Sequence, residues 1–149
     1  MAKRYSPVSA GGIFLLLTPL LPTVANAQTF LTSWGSYGSG DGQFQGALGV
    51  AVGGSGEVYV ADAETGRIQV FTSAGSFLRK WSYASGDGSP VDLVVDAEDN
   101  VYVADNHYYG IFKFTSDGSL DAQWRTDNLN LALDASGNVY AGGNGKIEV

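Results

Sequence analysis

Side chains that could carry chemistry are scarce in this sequence, and histidine is the scarcest of them. The 149-residue chain has no cysteine and one histidine, His107. A zinc site of the common type needs three or four converging His, Cys or carboxylate ligands. Serine-type nucleophilic catalysis needs a histidine beside a serine on a strained turn such as G-x-S-x-G, a motif that no serine of this chain occupies. Neither chemistry is expected, and we interpret His107 as a solvated loop residue beside Tyr108 and Tyr109, with ligand contact as the alternative.

Paired carboxylates are the remaining option for acid-base chemistry. Asp62 and Asp105 end two copies of one hexapeptide, so the fold must place them at equivalent positions. An Asp at a strand end usually accepts hydrogen bonds from the backbone of the following loop, and Asp62 could also pair with Arg67 across that loop. We therefore predict that Asp62 and Asp105 are structural turn residues.

Two further aspartates, Asp41 and Asp87, lie in two copies of the phrase SGDG. In such a phrase Gly supplies positive φ and Asp an Asx-turn. Clustered oxygen ligands could instead hold calcium, although the chain has no twelve-residue loop with regularly spaced acids. We predict turns without a metal or other cofactor, and calcium stays the alternative.

These side chains are positioned by an internal repeat of about 40 residues. Its best-preserved strand occurs as EVYVAD at 57–62, NVYVAD at 100–105 and NVYAGG at 138–143. The strands before it are GVAV at 49–52, LVVD at 93–96 and LALD at 131–134, and those after it are RIQVF at 67–71, GIFKF at 110–114 and KIEV at 146–149. Tryptophan-ending strands occur at 30–34, 77–81 and 120–124. Short apolar strands separated by glycine-rich turns predict an all-β fold, with Trp34, Trp81 and Trp124 packed between neighbouring sheets.

The repeat resembles the NHL repeat. The first copy contains W-G-x-x-G-S-G-D-G-Q-F, G-V-A-V, G-E-V-Y-V-A-D and R-I-Q-V-F, and the resemblance extends over residues 30–149. The later copies depart from it where Asp92 replaces the motif glycine, Gly110 the arginine and Gly143 the aspartate, and Gly53 stands where Asp96 and Asp134 keep an acid. The resemblance implies a partial β-propeller of about three four-stranded antiparallel blades at residues 28–149, half of a six-bladed NHL propeller.

Three blades are fewer than the four to eight of typical propellers. The strand count reaches twelve if residues 30–34, or a partner, supply the outer strand of the last blade. We expect the chain to be a fragment of a longer gene product, since residue 149 falls inside a motif strand. The alternative is a homodimer in which two chains close a six-bladed ring by exchanging outer strands.

The first 27 residues predict a signal peptide. Lys3 and Arg4 form a basic start, residues 13–21 an apolar stretch, and Ala25-Asn26-Ala27 a cleavage site. The apolar stretch is shorter than the roughly 20 residues a bilayer needs, so no stable membrane span is expected after cleavage, and an uncleaved anchor is the alternative. We therefore expect a secreted or periplasmic protein.

The charge balance argues against nucleic acid. Cleavage would remove two of the eight basic side chains and leave six against 15 acidic ones, scattered rather than clustered. The RNA-binding and ubiquitin-ligase substrate-recognition roles of some animal NHL proteins are accordingly disfavoured.

In a propeller, the loops between second and third strands, and those between blades, gather on one face. We expect a non-catalytic exported scaffold that binds a protein or glycan partner through this loop face. The alternative is an enzyme, because lyases and lactone hydrolases occur on NHL-like propellers. The predicted ligand-binding residues are Tyr37, Asp41, Glu64, Arg67, Asp87, Asn106, His107, Tyr108, Asn128 and Asn144.

Overall fold

A computed structural model describes residues 31–82 and 87–149. The predicted signal peptide, Phe30 of the first tryptophan-ending strand, and Ser85 and Gly86 of the second SGDG phrase lie outside these residues. Thr32–Val149 form one unit. Among the described residues, no helix is long and apolar enough to cross a bilayer.

The strands of this unit follow the predicted repeat closely. They are β1 (Ser36–Tyr37), β2 (Gln43–Phe44), β3 (Ala47–Val52), β4 (Val58–Asp62), β5 (Arg67–Phe71), β6 (Phe77–Ser82), β7 (Pro90–Val95), β8 (Val101–Asp105), β9 (Gly110–Phe114), β10 (Leu120–Arg125), β11 (Asn130–Leu133), β12 (Val139–Gly143) and β13 (Lys146–Glu148). A short 3-10 helix, Ala63–Thr65, joins β4 to β5. The prediction of an all-β fold is confirmed.

Three antiparallel sheets follow one another along the chain. Strands β3 to β6 form blade 1, strands β7 to β10 form blade 2, and strands β11 to β13 form blade 3. Within each blade, strands that are neighbours in sequence are neighbours in the sheet, which is the simple meander that short turns permit. The short strands β1 and β2 pair in parallel ahead of blade 1.

Alternation along the strands gives each blade two apolar faces. We call the face toward the next blade the trailing face and the face toward the previous blade the leading face. The trailing face of blade 1 and the leading face of blade 2 share one buried cluster. Its buried members are Tyr59, Ala61, Ile68 and Val70 of blade 1, and Leu93, Val101, Val103, Phe112 and Phe114 of blade 2. The core therefore lies between sheets, as stacked blades require.

Trp81 confirms the prediction that a tryptophan packs between blades, whereas Trp34 and Trp124, predicted to do the same, are 38% and 50% exposed. Its ring centroid lies 5.9 Å from that of Phe114, across the junction of blades 1 and 2. It also covers Gly118 in the turn after β9, where an added Cβ would lie 2.7 Å from the indole. Trp34 lies against Gly75 of blade 1 in the same way, again at 2.7 Å. In both cases, the indole of a tryptophan thus packs against a glycine in a turn of the following sheet.

This contact makes a prediction about stability. Gly118 and Gly137 have similar positive φ angles, 88° and 84°. A Cβ added to Gly118 would crowd Trp81, whereas a Cβ added to Gly137 would have no heavy atom within 4 Å. Left-handed backbone costs an L-residue about 1–2 kcal/mol, so Gly137→Ala should lose that much. Gly118→Ala should lose a further ~1–3 kcal/mol through crowding. Urea unfolding of both variants measures the difference, and equal losses would contradict the packing role of Trp81.

Blade 3 differs from the prediction at its outer side. It has three strands among the described residues, and residues 31–35 form no strand. The fourth strand that residues 30–34 or a partner were predicted to supply therefore stays a prediction. The outer edge of β13 has no neighbouring strand in the described part of the chain.

Candidate functional site

The loop after β4 is built around a buried carboxylate. Asp62 Oδ1 accepts hydrogen bonds from the backbone N–H groups of Gln45 at 3.0 Å and Gly46 at 2.8 Å. Its Oδ2 accepts one from the Thr65 hydroxyl at 2.6 Å and faces the Arg67 guanidinium at 3.3 Å. Since a buried charge is costly without such partners, this network fixes the position of the loop.

Arg67 was predicted to contact a ligand, but the structure buries it. Its guanidinium donates to the carbonyl oxygens of Ser39 at 2.6 Å, Gly40 at 3.1 Å and Gln43 at 2.9 Å. With Asp62 as a further partner, the residue is only 6% exposed. Arg67 therefore anchors the first SGDG loop from beneath and does not reach the loop surface.

Asp105 occupies the equivalent position in blade 2 and also accepts hydrogen bonds from loop backbone groups. Its Oδ2 accepts the backbone N–H of Ser89 at 2.7 Å, and its Oδ1 accepts that of Tyr108 at 2.6 Å. The carboxylate thereby joins the loop entering the blade to the loop after β8. Gly110, which replaces the motif arginine, lies close to the backbone of β10: an added Cβ would be 2.6 Å from the Trp124 carbonyl oxygen, too near for a side chain to fit without a shift of the backbone.

Blade 3 lacks the motif carboxylate, and Asn128 lies in its place. A Cβ added to Gly143 would be 3.1 Å from Asn128 Oδ1. Asn128 was predicted to lie on the loop surface, but it is fully buried. The long-range contact with Gly143 explains this difference, because the smaller residue leaves room for the amide.

Three of the predicted ligand-binding residues come together in one shallow cleft. The loop-face cleft, of about 390 Å³, lies between residues 63–66 of blade 1 and residues 87–89 and 107 of blade 2. It presents the exposed side chains of Glu64, Asp87 and His107. The loop-face cleft is thus lined by two carboxylates, one from each blade, and one imidazole.

An aromatic pair supports one wall of the loop-face cleft. The rings of His107 and Tyr108 are 4.8 Å apart at an interplanar angle of 33°. Tyr108 in turn meets Phe112 nearly edge-on, with ring centroids 6.1 Å apart. The imidazole is therefore held at the surface by a ring that reaches into the core.

The other predicted residues do not line this cleft. Asp41 forms an exposed ion pair with Lys80, and Tyr37 is exposed on β1. Asn106 is exposed, and Asn144 donates from its amide to the carbonyl of Asp127 at 3.3 Å. The loop face thus contributes a local cluster at the junction of blades 1 and 2 rather than one continuous ring of side chains.

Loops at the other end of the strands carry a second polar network. In blade 3 a hydrogen bond from Asn138 to Asp134, supported by others, lowers the pKa of Asp134 to about 2. In blade 1, where Gly53 replaces the motif acid, Glu57 forms a bidentate pair with Arg79 and accepts from the Tyr59 hydroxyl. The hydrogen bond from Arg79 lowers the pKa of Glu57, and burial raises the pKa of Tyr59 to about 12. These groups stabilise turns.

Sequence reasoning missed a larger cleft between blades 2 and 3. This blade-3 cleft has a volume of about 570 Å³, and its lining includes Tyr102, Lys113, Trp124 and Glu148. A hydrogen bond to Asp121 raises the pKa of Lys113. The register of β12 with β13 puts Glu148 at the position that the core residue Phe112 occupies in blade 2. This replacement of an apolar residue by a glutamate is the sequence feature that could have indicated the cleft.

Metal ligands are not grouped in the part of the chain that the structure describes. Within residues 31–82 and 87–149, no three His, Asp or Glu side chains lie close enough together to hold an ion. The two carboxylates and the imidazole of the loop-face cleft are therefore separate surface groups in this structure.

The sequence model of the NHL repeat matches residues 44–71. These residues are an NHL repeat. They span β2 to β5 and contain both Asp62 and Arg67, so the motif positions of the NHL repeat coincide with the buried ion pair. No curated protein matches the chain in sequence.

Solved structures similar to the chain are propeller proteins. A streptogramin B lyase has a TM-score of 0.56 at 15% identity, over 64% of this chain and 33% of its own. Virginiamycin B lyase from Staphylococcus aureus has a TM-score of 0.56 at 16% identity, over 69% and 40%. A gluconolactonase from Xanthomonas campestris has a TM-score of 0.56 at 20% identity, over 68% and 36%. The chain thus spans about a third to two fifths of these structures, and its NHL repeat lies in a β-propeller fold.

Proposed function

We propose that this NHL-repeat propeller segment is a non-catalytic scaffold of an exported protein and binds a protein or glycan partner through its loop face. The observation that carries the proposal is the loop-face cleft, where Glu64, Asp87 and His107 are exposed together. Exposed carboxylates accept hydrogen bonds, so the complementary ligand offers hydroxyl, amide or ammonium donors.

Rigid support beneath the cleft favours binding. The 3-10 helix that carries Glu64 follows the buried Asp62, and the loop that carries Asp87 leads to Ser89, which donates to Asp105. Loops held in this way lose little conformational entropy when a partner docks. The acidic balance of the whole chain, −7 at pH 7, would also attract a basic partner surface.

The second candidate is an enzyme of the lyase or lactone-hydrolase kind. It is favoured by the fold likeness to the streptogramin B lyase and the gluconolactonase, both below 25% identity. Binding ranks first because the described residues of the cleft offer one imidazole and two separate carboxylates. Thermal shift with calcium, zinc or EDTA separates the two, since a metal-dependent rise of several degrees would favour the enzyme.

Arrayed glycans and arrayed basic peptides test the binding proposal directly. The triple variant Glu64→Gln, Asp87→Asn, His107→Ala should lose at least about tenfold in affinity for whichever probes the full chain binds, since each lost polar contact is worth about 0.5–1.5 kcal/mol. Glu98→Gln, an exposed carboxylate in the loop between β7 and β8, is the matched control and should bind unchanged. Equal binding by the triple variant, or no binding on either array, would refute the proposal.

A further inference from the structure

The loop between β8 and β9 holds a tyrosine in a backbone conformation that favours glycine. Tyr109 has a φ of 50°. The hairpin between β4 and β5 of blade 1 has the same length, because the strand residues that close the two loops pair in the same way. The position of Tyr109 is occupied there by Gly66, which has a φ of 62°. The hairpin thus requires left-handed backbone at this position, and blade 2 adopts it with a bulky residue for which it is unfavourable.

Packing within the blade does not offset this cost. Tyr109 is 56% exposed, whereas the neighbouring Tyr108 packs between His107 and Phe112. Tyr109 contributes its backbone carbonyl, which accepts the N–H of Thr126 at 3.0 Å, but any residue could make that contact. Strain of this kind persists where a side chain serves a function. The use of the phenol ring therefore lies outside the fold.

Exposed polar side chains lie beside this ring. The hydrogen bond from Thr126 brings the loop that enters blade 3 next to Tyr109. The next residue, Asp127, accepts the Asn144 amide at its backbone carbonyl at 3.3 Å, and its carboxylate lies 3.9 Å from Lys146 Nζ. All three side chains are exposed. We call Tyr109, Asp127, Asn144 and Lys146 the Tyr109 patch.

We propose that the Tyr109 patch binds a neutral saccharide. The flat C–H face of a sugar ring packs on the phenol ring, and its hydroxyl groups form hydrogen bonds with Asp127, Asn144 and Lys146. The inference rests on the proposed function, binding through the loop face, and it narrows the partner from a protein or glycan to a glycan.

The chemistry of the patch suits a saccharide better than a protein. Each sugar hydroxyl both donates and accepts, so it can use a carboxylate, an amide and an ammonium group in turn. Asp127 and Lys146 carry opposite charges, which favours a ligand without net charge. The strong contacts of a protein interface lie instead in an apolar centre that excludes water, and Tyr109 is the one large apolar residue of the patch.

The patch does not depend on what covers the faces of the blades. Its residues lie in loops at the ends of strands in blades 2 and 3. Propeller blades pack through the faces of their sheets, so further blades on either side would leave these loops accessible. The Tyr109 patch can therefore bind whether or not the propeller is complete.

Binding of the full chain to arrayed neutral oligosaccharides tests the proposal. The chain should bind a subset of them, and Tyr109→Asn should lose about tenfold in affinity, because it removes the ring and keeps a residue that tolerates left-handed backbone. Tyr109→Phe keeps the ring and should retain more affinity than Tyr109→Asn. Leu120→Asn is the matched control, since Leu120 is 55% exposed at the opposite end of blade 2, and it should bind unchanged.

The arrays also separate this inference from the proposed function. Binding to peptides but to no saccharide overturns the inference and leaves loop-face binding in place. Saccharide binding that survives Tyr109→Asn but is lost in the triple variant of Glu64, Asp87 and His107 does the same. Binding to neither array overturns both.

Thermal unfolding tests whether the tyrosine is retained against the preference of the fold. Tyr109→Gly should raise the midpoint by about 2–4 °C, because relief of the left-handed strain exceeds the entropy cost of glycine. The same variant should bind saccharides as weakly as Tyr109→Asn. A midpoint that falls by several degrees would show that Tyr109 stabilises the fold, and the inference would then fail.

Discussion

Asp62→Asn is expected to lower the free energy of unfolding by about 3–5 kcal/mol, because it breaks a buried ion pair by changing one partner. The substitution removes the charge that faces the buried Arg67 guanidinium at 3.3 Å, and it converts one acceptor oxygen into a donor. If the amide nitrogen takes the place of Oδ1, the backbone N–H groups of Gln45 and Gly46 lose their acceptor. If it takes the place of Oδ2, the Thr65 hydroxyl loses its acceptor. The remaining positive charge is then buried without its counter-ion.

Urea unfolding measures this effect, and Asp41→Asn is the matched control. Asp41 also pairs with a basic side chain, Lys80, but both groups are about half exposed. Exposed ion pairs contribute about 0–1 kcal/mol, so the control should lose no more than that. The double variant Asp62→Leu, Arg67→Met should be less destabilised than Asp62→Asn, since it leaves no unpaired charge. Equal losses in Asp62→Asn and Asp41→Asn would show that burial of the pair does not matter.

Phe114→Ala is expected to cost about 3–5 kcal/mol, because the ring fills the junction between blades 1 and 2. Phe114 is almost fully buried and contacts the ring of Trp81 from the preceding blade. Its removal leaves a cavity that neither sheet can close alone, since the ring belongs to the leading face of one blade and is covered by the trailing face of the other.

Leu120→Ala provides the control for Phe114→Ala. Leu120 pairs with Phe114 in the register of β9 and β10 but is exposed, so its truncation should change stability by no more than about 0.5 kcal/mol. Chemical denaturation of both variants gives the comparison. A loss below about 1 kcal/mol in Phe114→Ala would mean that the blades are stable without stacking, contrary to the interdependence expected of repeats.

The strands and their order were predictable from the sequence because they depend on local features. Runs of Val, Tyr and Ala in the 57–62, 100–105 and 138–143 copies place apolar groups on both faces of a strand, and glycines mark the turns. The predictions of the NHL repeat and of the propeller fold are confirmed. The signal peptide, the export and the identity of the partner stay predictions.

The position of individual site residues depended on contacts between distant parts of the chain. Arg67 and Asn128 were both predicted to contact a ligand at the loop face, but Arg67 is covered by the loop around Ser39 and Asn128 fills the space left by Gly143. Sequence alone could not show that Glu64, Asp87 and His107 line one cleft, because they come from three loops of two blades.

The sequence by itself thus determined which segments become strands and where the turns fall, since these follow from periodicity and backbone preference within a few residues. Only the tertiary structure decided which faces of the blades are covered. Burial of a face depends on the neighbour that packs on it. Ile68 and Ile147 occupy equivalent positions of the same apolar pattern, so the pattern alone cannot show that Ile68 is buried and Ile147 exposed.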